Sequence, residues 1–288
     1  MSYISPPPAY QPPACLRVAT VPSAPNAGLM YPDAWNNTKK QKFRDLCSLY
    51  EINEYYSMEL RRVLCAPIKV FIVDNSGSMN HILRETHLRL VRPVRRYDEL
   101  IEFIKIAIPL MSIDSAEGVT IVFLNPPLID GKYIYTGIHD WSQIAHVFQA
   151  PPRGTTPLVE RLREQLATVT CVAQEQGALF LIFTDGEPDG GPDALYRLIK
   201  HRPNPFKVIC NFLVCTDNDD EVAYLNKLDR KAKGVDVCDD YISESKEVRH
   251  ARPGASFTFG DYVVKACVGG ACKKFDEMDE KRCMCTLL

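Results

Sequence analysis

IKVFIVDNSGSMN, residues 68–80, decides the fold. From Ile68 to Val73 only Lys69 is polar, and a short, nearly continuous apolar run rich in β-branched and aromatic residues is the pattern of a strand covered on both faces. The run stops at Asp74 and delivers one carboxylate and two hydroxyls, those of Ser76 and Ser78, on alternate positions. Runs of the same texture recur as GVTIVFLN (118–125), ALFLIFTDG (178–186) and FKVICNFLVCT (206–216), with KYIYTGI (132–138) and VDVCDDY (235–241) as weaker outer strands. Helical spacing is expected between them at 97–111, 140–148, 157–176, 192–201 and 219–231. Strand alternating with helix predicts an α/β fold: a doubly wound, mostly parallel sheet flanked by helices and joined by right-handed crossovers.

Outside this core the texture changes. Residues 1–38 are rich in proline and poor in aliphatic patterning, which predicts a disordered arm, because too little apolar surface is present to offset chain entropy. Residues 39–66 place Phe43, Leu46, Leu49 and Tyr50, then Tyr56, Leu60 and Val63, at roughly helical spacing, so a helical lead-in is expected before the main domain at 67–265. Residues 266–288 form a C-terminal tail. With 288 residues, 46% hydrophobic and 24% charged, the chain has material for one large core.

Composition also excludes some functions. A formal net charge of −2 lacks the clustered Lys and Arg that phosphate neutralisation requires, so nucleic acid is not an expected partner. The first residues lack the pattern of a signal peptide, and there is no apolar run of the ~20 residues needed to span a bilayer, which predicts an intracellular, cytoplasmic protein. Eleven scattered cysteines, an odd number, are expected to be mostly reduced and in part buried as small apolar residues.

Ligands of open α/β sheets bind at the carboxyl ends of the strands. Three polar clusters fall there: Asp74, Ser76 and Ser78; RGTTPL (153–158), just ahead of a helix; and FTDGEPDG (183–190). Alternating positions can turn Asp74, Ser76 and Ser78 to one side, giving three oxygens for a hard cation. Magnesium suits such a site, with manganese or calcium as alternatives; a threonine hydroxyl from the second cluster and the Asp185 carboxylate from the third would complete its shell.

In order and separation, Asp74-x-Ser76-x-Ser78, the Gly-Thr-Thr-Pro-Leu loop and Thr184-Asp185-Gly186 closely resemble the metal-ion-dependent adhesion site of the von Willebrand factor A domain family. The resemblance covers about residues 67–265. It implies Asp74, Ser76, Ser78 and Asp185 as metal ligands. Family loops often read Gly-Gly-Thr-Pro-Leu, which aligns Thr156 as the fifth ligand and leaves Thr155 as the alternative. It further implies a protein-binding domain rather than an enzyme, whose cation bridges to an Asp or Glu of a partner.

The same residues admit other readings. Ser76, Ser78 and Thr156 are also suitable helix caps. A phosphatase could use Asp74 as nucleophile, but such sites usually carry a second aspartate where Ser76 stands; a metal-free structural scaffold is the remaining alternative. No Gly-x-x-x-x-Gly-Lys-Ser/Thr loop is present. His81 and His87 read as surface or loop residues, and the spacing of Cys267, Cys272, Cys283 and Cys285 is not that of a zinc knuckle.

The tails carry two short motifs. Pro7, Pro8 and Tyr10 in PPPAY resemble a PPxY ligand of WW domains, such as those of ubiquitin ligases. Cys285-Thr286-Leu287-Leu288 fits the C-a-a-X prenylation pattern, its terminal leucine favouring geranylgeranyl. One lipid binds membranes only marginally. The four basic and four acidic residues of 273–282 cancel, so a palmitoyl group on Cys283 would be the second anchor.

Overall fold

The computed structural model describes residues 35–216 and 218–272. Six strands, β1 (Ile68–Val73), β2 (Val119–Phe123), β3 (Ile134–Ile138), β4 (Ala178–Thr184), β5 (Val208–Val214) and β6 (Val235–Cys238), form one sheet in the order β3-β2-β1-β4-β5-β6. Every neighbouring pair is parallel except β2 with β3, the antiparallel edge. The helices are α1 (Asn37–Leu49), α2 (Glu54–Leu64), α3 (Arg96–Ser112), α4 (Leu158–Gln176), α5 (Pro192–Lys200), α6 (Asp219–Lys231), α7 (Tyr241–Ala251) and α8 (Phe259–Val268). This is the doubly wound, Rossmann-like α/β architecture that the apolar runs predict.

Each central strand is apolar on both sides because each side has its own core. Phe71 and Val73 of β1 belong to the cluster that contains residues of α1, α2, α3 and α8, whereas Val70 and Ile72 join residues of α4, α5 and α6. The continuous hydrophobicity of IKVFIV is the sum of these two alternating patterns.

The two helices before β1 are built into the first of these cores. The Asn53 backbone N–H donates to Asp261 Oδ1 at 2.8 Å, and Thr258 Oγ1 donates to the Glu51 carbonyl at 2.9 Å, tying the α1–α2 turn to the start of α8. Gly260 permits that approach, since a Cβ there would strike the Tyr50 carbonyl. At its other end α8 is held by Asn211 of β5. Its Nδ2 donates to the carbonyls of Ala266 (2.9 Å) and Cys267 (2.8 Å), and its Oδ1 accepts from Gly270 N (3.1 Å). A buried amide satisfied on both ends fixes position strongly. It brings the chain after α8 to the amino edge of the sheet, where Gly270 lies against Ile209 and Gly234.

Two local expectations are corrected. Residues 140–148 do not form an α-helix but two 3-10 turns, Trp141–Gln143 and Val147–Gln149. Asp140 caps the first turn, and Gln143 Oε1 accepts from the backbone N–H groups of His139 and Asp140. Ile144 and Val147, three apart, are buried without a full helix, since such spacing also aligns side chains in 3-10 geometry. The outermost strand stops at Cys238 rather than running to 241, because the Asp240 side chain accepts from the backbone of Ile242 (2.9 Å) and Ser243 (3.3 Å) and starts α7.

Cys47, Cys65, Cys210, Cys215, Cys238, Cys267 and Cys272 are free thiols, and Cys210, Cys238 and Cys267 are buried. No helix among the described residues is long and apolar enough to cross a membrane. Pro7, Pro8 and Tyr10 of the arm, and Cys283 and Cys285 of the tail, lie outside the described residues.

Candidate metal centre

The connections leaving β1 and β4 run to opposite sides of the sheet, β1 through α3 to β2 and β4 through α5 to β5, so the two adjacent strands define its switch point. Diverging loops open a crevice there at the carboxyl edge. The register pairs Val73 with Phe183, so Asp74 and Asp185 emerge side by side at this place. Both are buried, at 0% and 1% exposure, and Ser76 at 2%.

Hydrogen bonds connect these groups. Ser76 N donates to Asp74 Oδ1 (2.8 Å), Thr184 Oγ1 donates to Asp74 Oδ2 (3.1 Å), the hydroxyls of Ser76 and Ser78 are 3.0 Å apart, and Ser78 Oγ donates to Asp185 Oδ1 (2.8 Å). Four of the predicted ligands, Asp74, Ser76, Ser78 and Asp185, are therefore one cluster. Ser76 precedes the 3-10 turn Gly77–Asn80 but its side chain does not cap it, so capping does not account for this hydroxyl.

The second loop is held against the first. Gly77 N donates to the Gly154 carbonyl (3.1 Å) and Arg153 N to the Asn75 carbonyl (2.7 Å). Asn75 in turn exchanges hydrogen bonds with the backbone of Asn125, and Asn125 Nδ2 donates to the Thr155 carbonyl (2.8 Å). Gly154 has φ +90°, and a Cβ there would lie 2.7 Å from Asn125 Cγ, so only glycine serves. The two candidate threonines now differ. Thr155 is exposed and its hydroxyl donates to Asp189 Oδ2 at 2.5 Å; Thr156 is half-buried and engages Asp189 through its backbone, N to Oδ1 at 3.3 Å. The Thr156 hydroxyl is left the more available of the two.

Electrostatics supply a test of whether a cation suits these residues. Burial, and after it the neighbouring Asp185 charge, pushes the Asp74 carboxyl up from its ordinary 3.8 to about 7. Arg96, at the head of α3, pairs with Asp185 Oδ2 (3.0 Å) and Glu221 Oε2 (2.9 Å), and is itself 5% exposed. When ionised, Asp74, Asp185 and Glu221 thus face one guanidinium and leave an excess of two negative charges. A divalent cation would match that excess, and the oxygens are of the kind that magnesium takes. Among the described residues no group of three or more His, Cys, Asp and Glu side chains is gathered to hold a metal, so a centre here would draw on hydroxyls beside its two carboxylates.

Sequence reading missed Arg96, Glu221, Asn75 and Asn125. A signal for the first existed: an arginine opening a helix whose inner face is otherwise apolar. Asn125 ends an apolar strand run as Asp74 and Asp185 do, though with a neutral side chain. His87 stacks on Phe259 at 4.0 Å between ring centroids and contacts Glu99 through Nδ1 at 3.0 Å, which places it beside α3 and α8. No known family model matches the chain, and no curated protein matches it.

Proposed function

We propose that this chain is an intracellular, metal-dependent protein-binding domain of the von Willebrand factor A type, and not an enzyme. The observation that carries the reading is the pair of buried carboxylates at the switch point, joined through two serine hydroxyls and short of positive charge. Asp74, Ser76, Ser78, Thr156 and Asp185 would hold magnesium, with manganese or calcium as substitutes. A cation so bound would supply an electrophilic open position for the Asp or Glu of a partner protein. Asn75, Asn125 and Gly154 fix the second loop against the first, and Arg96 keeps Asp185 in place. The tails complete the proposal: a WW-domain protein at Pro7, Pro8 and Tyr10, and attachment to a cytoplasmic membrane face through prenylation of Cys285 aided by palmitoylation of Cys283.

The test is the thermal midpoint of the full chain in chelator and in millimolar magnesium, beside Asp74→Ala. Binding to the folded state alone raises stability by mass action, about 2.7 kcal/mol at a hundredfold excess over Kd. The expected result is a rise in the wild type that the variant lacks. Equal midpoints with and without magnesium in the wild type would leave a metal-free scaffold and overturn the reading.

A further inference from the structure

Between the 3-10 turn Gly77–Asn80 and α3 the chain makes an excursion whose base is closed like a hairpin. Ile82 and Arg95 form an antiparallel bridge, Leu83 N donates to the Val94 carbonyl (2.9 Å), and Arg96 N donates to the His81 carbonyl (3.0 Å). Arg95 Nη1 donates to Asn80 Oδ1 at 3.2 Å, so the base abuts the turn that carries Ser78.

This excursion, residues 82–95, has four arginines and one glutamate. The acidic groups around it are already engaged: Glu85 by Lys246, Asp98 by both Arg92 (2.5 Å) and Arg95 (2.9 Å), and Glu99 by His87. Arg89 is exposed and makes no ion pair among the described residues. Beside it, Leu90 is 47% and Val91 fully exposed, with Ile82 61% exposed at the base. An excursion bearing basic and exposed apolar side chains therefore springs from the turn that carries Ser78, although the chain as a whole is slightly acidic.

We infer that this loop is the second half of the partner site: it receives a protein segment in which the metal-bridging carboxylate is set among further acidic residues and accompanied by an apolar side chain. The inference rests on the reading under Proposed function and names the partner's chemistry. Charge complementarity selects the acidic residues, and Leu90 with Val91 selects the apolar one. Asp74 and Asp185 lie beneath the surface, at 0% and 1% exposure, a depth that a projecting peptide side chain suits better than a flat lipid surface. Gly270, just after α8, is held at the opposite, amino edge of the sheet.

The experiment selects a random short-peptide display library on the full chain in millimolar magnesium. A selected peptide is then titrated against wild type, Arg89→Glu, Leu90→Ser/Val91→Ser and Asp74→Ala. The loop variants alter exposed side chains, and an unchanged thermal midpoint verifies their folding. Expected are peptides enriched in Asp and Glu with an apolar residue, an affinity loss of about tenfold in Arg89→Glu that shrinks in high salt, a comparable loss in Leu90→Ser/Val91→Ser, and no binding by Asp74→Ala. Selection of no peptide, of peptides without acidic enrichment, or of peptides whose affinity ignores both loop variants overturns the inference and leaves the metal reading to its own thermal test. Affinity that follows the loop variants but ignores chelator and Asp74→Ala supports the basic surface and defeats the metal reading alone. Co-sedimentation with phosphatidylserine vesicles that is lost in Leu90→Ser/Val91→Ser assigns the surface to lipid and overturns the peptide assignment.

Discussion

Asp74→Asn should make the metal-free protein more stable, although it removes a residue at the centre of the site. The Asp74 carboxyl is held near 7 in the folded chain against 3.8 when unfolded, chiefly by burial and next by Asp185. A folded value above the unfolded one means that the unfolded chain releases its proton first. Stability is therefore unaffected below about pH 4, falls as pH rises to about 7, and stays flat above that. The full difference corresponds to about 4 kcal/mol at pH 8. An asparagine carries no such cost. Its Oδ1 can still accept from Ser76 N, while its amide meets the Thr184 hydroxyl, which must turn to accept; that adjustment costs about 1 kcal/mol. The net gain is about 2–3 kcal/mol, or about 5–10 °C in a chain of this size. Calorimetry in chelator at pH 8 measures it, and at pH 5 the gap should shrink to less than half. Millimolar magnesium should raise the wild type and not the variant. A variant that melts below wild type in chelator at pH 8 would refute the reasoning, since it would mean that the buried carboxylate is balanced without a cation.

Three further changes probe the surroundings of that carboxylate. Arg96→Met takes the guanidinium partner from Asp185 and Glu221 and should cost about 3 kcal/mol in chelator; because the excess negative charge grows, the rise in denaturation midpoint on adding magnesium should exceed that of wild type. Gly154→Ala forces a side chain into a left-handed backbone against Asn125, costing about 2 kcal/mol and weakening magnesium binding by calorimetric titration, whereas Gly186→Ala, whose Cβ would meet nothing within 4 Å, should be neutral in stability.

The sheet was legible because burial on both faces leaves a plain mark: IKVFIV and ALFLIFT allow few readings other than buried strands. Strand order was not legible, because nothing in the apolar runs says which neighbours pair; the β1–β4 adjacency that joins Asp74 to Asp185 comes from where α4 crosses the sheet. The 140–148 segment misled because Ile144 and Val147, three apart, satisfy a helical template and a 3-10 turn equally. In the site, the carboxylates and hydroxyls stood out as polar groups ending apolar strands. Arg96 did not, since its role depends on Asp185 and Glu221, 89 and 125 residues away in sequence and brought together only by the fold. The choice between Thr155 and Thr156 likewise needed Asp189, which engages the first through its hydroxyl and the second through its backbone.

The edges of the sheet give the proposed parts a consistent arrangement. Asp74, Asp185 and the base of the arginine-bearing loop lie at the carboxyl edge, where Asn80 joins the turn carrying Ser78 to Arg95. Asn211 holds the end of α8 at the amino edge, close to the starts of β5 and β6. The residues after α8 thus start from the end of the sheet opposite the proposed centre. Removing the proposed lipid site should leave the proposed metal site intact: a Cys285→Ser chain should keep its magnesium-dependent thermal rise, because the groups described around the centre lie within residues 74–221.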